Sequence, residues 1–128
     1  MIQVPRRTTV WKTEPQHDKY VLYFAPELIQ FIKLRKKYKT FRFGLRYDYL
    51  KVGDEITIYE NNKPDIVSQA QITAKTHTTF ANIPLKVNGH EIYSNKEEQR
   101  RVLSGYYKYI GRDIIDSDAF LILEFKLI

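Results

Sequence analysis

The sequence contains no cysteine, and this absence excludes several classes of protein. Its 128 residues include only 5 glycines, 5 prolines and 3 histidines. A disulfide scaffold, a thiol nucleophile and a cysteine-ligated zinc site are therefore impossible. His17, His77 and His90 have no metal-ligand spacing, so we expect neither a metal nor another cofactor. The sequence also lacks a glycine-rich phosphate loop and a nucleophile elbow.

Long apolar segments are missing as well. No stretch approaches the ~20 consecutive apolar residues that a membrane helix needs, and the N-terminus has no apolar signal-peptide core. We therefore expect a cytoplasmic protein with no membrane partner. Hydrophobic residues make up 43% of the chain and aromatic residues 14%, which is enough for one packed domain.

Positive charge is concentrated in one segment of the chain. The 21 Lys and Arg residues outnumber the 15 Asp and Glu residues, which gives a formal charge of +6. Residues 28–51 carry a net charge of +7, and all other residues together carry −1. This asymmetry indicates an anionic partner, with nucleic acid first, although the solvated basic end of a helix has the same pattern.

The hydrophobic pattern predicts one α+β domain after an N-terminal extension. Residues 1–19 are polar and contain two prolines, and residues 20–128 alternate between strand-like and helix-like patterns. A capping box from Ser94 to Glu97 marks the start of the second helix. We expect strands at 20–24, 39–43, 55–59, 67–76 and 119–128, and helices at 26–36 and 95–109. This order predicts a small, mostly antiparallel β-barrel with two or more flanking helices.

Aromatic residues alternate with the cations of segment 28–51. Single-stranded nucleic acid is bound by this mixture, because cations follow phosphates and aromatic rings stack on bases. Phe41 and Phe43 fit better as the core face of a strand, whereas both roles stay open for Tyr38, Tyr47 and Tyr49. The candidate nucleic-acid-binding residues are Lys36, Lys37, Tyr38, Lys39, Arg42, Arg46 and Tyr47.

Several short motifs resemble the ASCH domain family of the PUA-like superfamily. Segment 37–44 reads Lys-Tyr-Lys-Thr-Phe-Arg-Phe-Gly, and it is followed by Arg46 and by Tyr-Leu-Lys-Val-Gly-Asp at 49–54. In that family a helix is followed by a lysine, a strand of the form Thr-x-Arg and a Lys-x-Gly-Asp turn. The later helix and the closing strand are similar too, so the resemblance covers residues 20–128. It implies a small β-barrel with a positively charged cleft that suits RNA or a single base.

The resemblance also implies a catalytic set. Some small bacterial members hydrolyse the amide of cytidine acylated on its exocyclic amine, with a lysine, a threonine and a glutamate that correspond by position to Lys37, Thr40 and Glu91. In such a set Thr40 attacks or orients water, Glu91 carries the proton, and Lys37 lowers the relevant pKa values or holds the oxyanion. The motif arginine falls on Arg42. The sequence departs from the family pattern at Arg35, where glycine is usual ahead of the lysine.

Two registers of the motif compete. A second register aligns Lys39 with the lysine and places Arg42 at the nucleophile position, which would abolish the chemistry. The first register also aligns Arg42 and the following Phe-Gly, so we prefer it. The resulting hypothesis is a protein that binds RNA or a modified nucleoside in a basic cleft. The alternatives are an amidohydrolase acting on N-acylated cytidine and a single-strand ribonuclease.

Overall fold

The computed structural model describes residues 2–7 and 20–128 of the chain. Most of the predicted N-terminal extension, including Trp11, lies outside these ranges. The described residues form, in chain order, β1 (Ile2–Gln3), β2 (Val21–Phe24), α1 (Pro26–Lys33), β3 (Lys39–Phe43), β4 (Glu55–Glu60), β5 (Ile66–Thr79), β6 (Glu91–Ile92), α2 (Lys96–Tyr106) and β7 (Ala119–Leu127). Short 3₁₀ helices occupy Phe80–Asn82 and Lys108–Ile110. None of the helices in this part of the chain is long and apolar enough to cross a membrane.

Five strands form one open sheet in the order β2-β4-β5-β7-β3. β2 is parallel to β4, and the other three neighbouring pairs are antiparallel. The predicted α+β class and mostly antiparallel pairing are therefore confirmed. The predicted closed barrel is wrong, because β2 and β3 are the two edges of the sheet and no backbone ladder joins them within the described residues. A side chain spans the gap between these edges instead.

Strand β5 joins the two halves of the sheet because it pairs with both β4 and β7. Its first half pairs with β4 and its second half with β7. The register with β7 shifts between Ile72 and Ala74, which leaves Thr73 as an extra residue. Such a bulge bends and twists the strand locally. The bend lets one 14-residue strand serve both halves of the sheet.

Apolar side chains form two cores, and strand β7 contributes to both. Its alternation sends Leu121, Leu123 and Phe125 to the core under α1, whereas Phe120 joins a second core with Leu103 of α2. β7 lies between β5 and β3 in the sheet, as its two apolar faces predict. The candidate functional residues lie where these two cores meet.

The predicted elements agree with the observed ones apart from their ends. The strand expected at 39–43 is confirmed residue for residue. The first helix ends at Lys33 rather than residue 36, and the second is capped by Asn95 rather than Ser94. The Asn95 side chain accepts from the Glu98 amide at 2.8 Å, and Glu98 Oε1 accepts from the Ser94 amide at 3.0 Å. The predicted capping box from Ser94 to Glu97 is therefore wrong, because Asn95 is the cap and Glu98 bonds the amide that precedes it.

The short parallel pair β1–β6 was not predicted. Ile2 pairs with Glu91 and Gln3 with Ile92, and the Ile2 side chain is buried. A two-residue strand has no periodicity that a sequence pattern can reveal. This pair attaches the start of the chain to the segment that carries Glu91.

Candidate active site

The turn that follows α1 directs the Lys37 side chain into the protein interior. The Lys36 amide donates to the Phe31 carbonyl and the Arg35 amide donates to the Ile32 carbonyl, each at 2.9 Å. These two bonds form a Schellman motif, in which the residue after the cap adopts the left-handed conformation that glycine favours. Arg35 has that conformation, with φ 59°. Arg35 thus keeps the backbone shape expected of the family glycine, and Lys37 follows with only 2% of its surface exposed.

A turn at Gly89 places Glu91 next to Lys37. Gly89 has φ +86°, and its carbonyl accepts hydrogen bonds from the Tyr38 and Lys39 amides at 2.9 and 3.0 Å. A Cβ at Gly89 would lie 2.5 Å from the Tyr38 ring, so a larger residue does not fit without a shift. The backbone beside Lys37 is therefore tied directly to the backbone beside Glu91.

Lys37 and Glu91 form a buried ion pair. Lys37 Nζ lies 2.7 Å from Glu91 Oε2, with side chains 2% and 5% exposed, and it also donates to the Lys39 carbonyl at 2.8 Å. Burial lowers the pKa of Lys37, and the Glu91 carboxylate opposes that effect. Burial alone would raise the pKa of Glu91, but the neighbouring His90 and Lys37 lower it to about 2. The Glu91 carboxyl is therefore ionised at neutral pH.

Thr40 and Arg42 lie next to each other on β3 and face the gap in the sheet. Arg42 Nε donates to Thr40 Oγ1 at 2.9 Å, and Arg42 Nη2 donates to the Tyr23 carbonyl on β2 at 2.9 Å. The guanidinium carbon lies 4.7 Å from the centre of the Phe24 ring and 5.2 Å from that of Tyr47. Arg42 therefore connects the two open edges of the sheet and orients the Thr40 hydroxyl at the same time.

His90 is a site residue that sequence reasoning did not identify. Its ring stacks on Phe41 with 3.7 Å between centroids and 7° between planes. Burial lowers the pKa of His90 to about 4, so it is neutral at pH 7. Its Nδ1 lies 3.1 Å from the Glu91 carbonyl oxygen. The signal that could have found it was its position directly before Glu91.

These polar groups line one small cavity between the two cores. The cavity measures about 50 Å³, and its polar lining includes Lys37, Thr40, Arg42, His90 and Glu91. Such a volume holds roughly one or two water molecules. A nucleobase therefore requires movement of the aromatic walls. Among the described residues no group of three or more His, Asp or Glu side chains is arranged to hold a metal.

The cavity is closed on one side by contacts between the two helices. The Tyr106 hydroxyl at the end of α2 donates to Glu27 Oε2 in α1 at 2.8 Å. The Tyr107 hydroxyl donates to the Phe41 carbonyl at 2.8 Å, which covers part of the free edge of β3. Both tyrosines line the cavity. The Tyr106–Glu27 bond therefore connects α2 to α1 beside the cavity.

The predicted nucleic-acid-binding residues divide into two groups. Lys37, Arg42 and Tyr47 are buried, with Tyr47 under the Arg42 guanidinium. The other four lie nearer the surface: Lys36 is exposed, and Tyr38, Lys39 and Arg46 are half-buried. Lys37 lines the cavity, and Lys39 is not among its lining residues.

Comparison with known proteins finds two similar solved structures, both of ASCH proteins. No family model and no curated protein matches the sequence. The structure is similar to an ASCH domain from Lactobacillus crispatus, with a TM-score of 0.61 and 14% sequence identity over 84% of this chain and 78% of that chain. It is also similar to a tyrosine-to-phenylalanine mutant of an ASCH protein from Zymomonas mobilis, with a TM-score of 0.56 and 15% identity over 84% and 73% of the two chains. This chain therefore has the fold of an ASCH domain.

Proposed function

We propose that this protein is an amidohydrolase that removes the acyl group from cytidine acylated on its exocyclic nitrogen. The observation that carries the proposal is the 2.7 Å Lys37–Glu91 contact in a cavity that Thr40 also lines. Amide hydrolysis needs a nucleophile, a proton carrier and a donor for the developing oxyanion. One hydroxyl, one carboxylate and one ammonium supply these three functions here.

The reaction begins with attack of Thr40 Oγ1 on the acyl carbon. Arg42 Nε already donates to that oxygen at 2.9 Å, so the hydroxyl proton points elsewhere and the nucleophile has a fixed position. The proton passes to the Glu91 carboxylate and then to the exocyclic nitrogen as the C–N bond breaks, which releases cytidine. Water then attacks the acyl-threonine ester, and the carboxylic acid leaves. The overall balance is one amide and one water converted into one amine and one acid.

Lys37 is suited to hold the oxyanion. An ammonium carries three N–H groups, and within the described part of the chain Lys37 uses two of them, for Glu91 and the Lys39 carbonyl. The third is available to the oxygen of the acyl group. Because the group is buried, its interaction with developing negative charge is stronger than the same contact in water.

The assay follows cytidine release from N4-acetylcytidine by wild type and by Glu91→Gln. This variant keeps the shape of the side chain but removes the charge and the proton carrier, and loss of a general acid–base group costs ~10²–10⁴-fold in rate. Glu55→Gln is the matched control, because Glu55 is exposed and lies on β4. The proposal fails if wild type releases no cytidine, or if Glu91→Gln is as fast as Glu55→Gln.

A second candidate function is binding of RNA or a modified nucleoside without hydrolysis. It is favoured by two exposed cations in the turn after α1, Arg35 and Lys36. They directly precede the buried Lys37. Tight binding of acetylcytidine in calorimetry with no cytidine release would support this candidate. Shortening of an end-labelled single-stranded RNA would instead indicate a ribonuclease.

A further inference from the structure

A second and larger groove runs along α2, outside the cavity and outside segment 28–51. It measures about 800 Å³. Two carboxylates, those of Glu97 and Asp113, also line it. Its cations are Arg7, Arg100, Arg101, Lys108 and Arg112. The lining therefore carries a net charge of +3, although the sequence outside residues 28–51 is close to neutral.

Two of these arginines are held in fixed positions. Arg100 donates to the Ile114 carbonyl at 2.8 Å and to Asp116 Oδ1 at 2.6 Å. Arg112 donates from both terminal nitrogens to the Asp118 carboxylate at 2.8 Å. These contacts preorganise the groove, and the two carboxylates offset the charge of the two arginines, so the lining together with Asp116 and Asp118 carries a net charge of +1.

The remaining cations face solvent. Arg101 has 72% of its side chain exposed, and its contact with Glu98 is long, at 4.0 Å. Lys108 is exposed as well. Arg7 lies over Gly105, where a Cβ would overlap its guanidinium. Gly105 thus permits Arg7, from the start of the chain, to join the cations of α2 in one groove.

The groove and the cavity share helix α2. Leu103 and Tyr106 line the cavity, whereas Ser104 and Gly105 line the groove. Adjacent residues of α2 therefore line two different sites.

We propose that this groove binds the phosphodiester backbone of a single-stranded RNA whose modified cytidine enters the cavity. The inference rests on the proposed function for the choice of base, but the groove itself is argued from its charge and position. Phosphate contacts by Lys and Arg give most of the affinity in such complexes, and they weaken with salt. Arg101, Lys108 and Arg7 are the residues that contact phosphate.

The test measures binding of a fluorescein-labelled 12-nucleotide single-stranded RNA by anisotropy over a series of salt concentrations. The variant is Arg101→Gln/Lys108→Gln, and the matched control is Lys63→Gln/Lys86→Gln, which removes the same charge from exposed residues outside both sites. We expect the groove variant to bind roughly tenfold or more weakly than the control. Its log–log salt slope should be smaller by about 1.4, which corresponds to two lost contacts at ~0.7 each.

A further variant changes the groove without changing its charge. Gly105→Ala places a methyl group where the Arg7 guanidinium lies, so RNA affinity should fall while the helix itself gains stability. Unchanged RNA affinity in both the double variant and Gly105→Ala would overturn the proposal that the groove binds RNA. Competition by poly-glutamate as strong as competition by unlabelled RNA would overturn it too, because the surface would then bind any polyanion.

The outcomes separate this proposal from the proposed function. If the groove variant hydrolyses free N4-acetylcytidine at the wild-type rate but binds RNA weakly, the groove proposal is supported. If wild type hydrolyses the nucleoside and the groove variant binds RNA as the control does, only the groove proposal fails. If no nucleoside is hydrolysed but the groove variant still loses RNA affinity, the groove stands and the amidohydrolase fails.

Discussion

Replacement of Lys37 by methionine should destabilise the protein strongly. Lys37→Met leaves the Glu91 carboxylate, 5% exposed, without its 2.7 Å partner. Removal of one member of a buried ion pair costs about 3–5 kcal/mol. An unfolding entropy of about 2.1 cal/mol/K per residue gives ~0.27 kcal/mol/K for 128 residues, so the Tm should fall by roughly 11–18 °C.

The double variant Lys37→Met/Glu91→Met should recover most of that loss. Replacement of a whole buried ion pair by apolar residues of similar volume is often neutral or stabilising. We therefore expect the double variant to be within about 2 kcal/mol of wild type and to have no amidohydrolase activity. Urea unfolding at pH 7, followed by circular dichroism, measures both differences. If the double variant loses as much free energy of unfolding as the two single variants lose together, Lys37 and Glu91 are not energetically coupled.

Other predictions concern pH, the turn residue Arg35 and the cavity residue Arg42. The free energy of unfolding should fall as pH drops from 6.5 to 4, because the unfolded chain protonates its histidine first while folded His90 has a pKa of about 4; His90→Phe should remove this step of about 3 kcal/mol. The free energy of unfolding should fall again between pH 4.5 and 2, because Glu91 becomes protonated there first in the unfolded chain. This second decrease should be absent in Glu91→Gln, and unfolding measured at a series of acid pH values checks it. Arg35→Gly should raise stability by about 1 kcal/mol, since φ 59° is unfavourable for arginine; a lower Tm would contradict the Schellman assignment. Arg42→Lys should lower both Tm and the hydrolysis rate, because one ammonium cannot reach both Thr40 and β2 as the guanidinium does; an unchanged rate would show that Thr40 needs no such orientation.

Local patterns in the sequence predicted the secondary structure around the candidate site. Strand β3 is predicted by its alternation and observed at the same residues. Lys37, Thr40 and Glu91 were chosen from a motif order, and the described residues bring all three to one cavity. The contact between Lys37 and Glu91 joins residues 54 positions apart, which no local pattern can show.

The rest depends on tertiary contacts. A closed barrel was predicted because strand patterns do not show which edges pair, and here Arg42 bridges β2 and β3 where a backbone ladder would otherwise run. Tyr47 was assigned to a nucleic-acid surface, but it is buried beneath Arg42. The basic groove on α2 was missed because its cations come from separate parts of a nearly neutral sequence. The net charge of a sequence segment does not show which distant cations lie together on the surface of the folded protein.

We expect Thr40 to attack the amide within the cavity that Lys37 and Glu91 line. The most direct test of this step is the rate of cytidine release from N4-acetylcytidine by wild type, Thr40→Ser and Thr40→Val. Serine keeps a hydroxyl, whereas valine keeps the shape without one, so we predict measurable turnover for wild type and Thr40→Ser and a loss of ~10⁴-fold or more for Thr40→Val. Release of cytidine by Thr40→Val at the wild-type rate would show that the Thr40 hydroxyl is not the nucleophile.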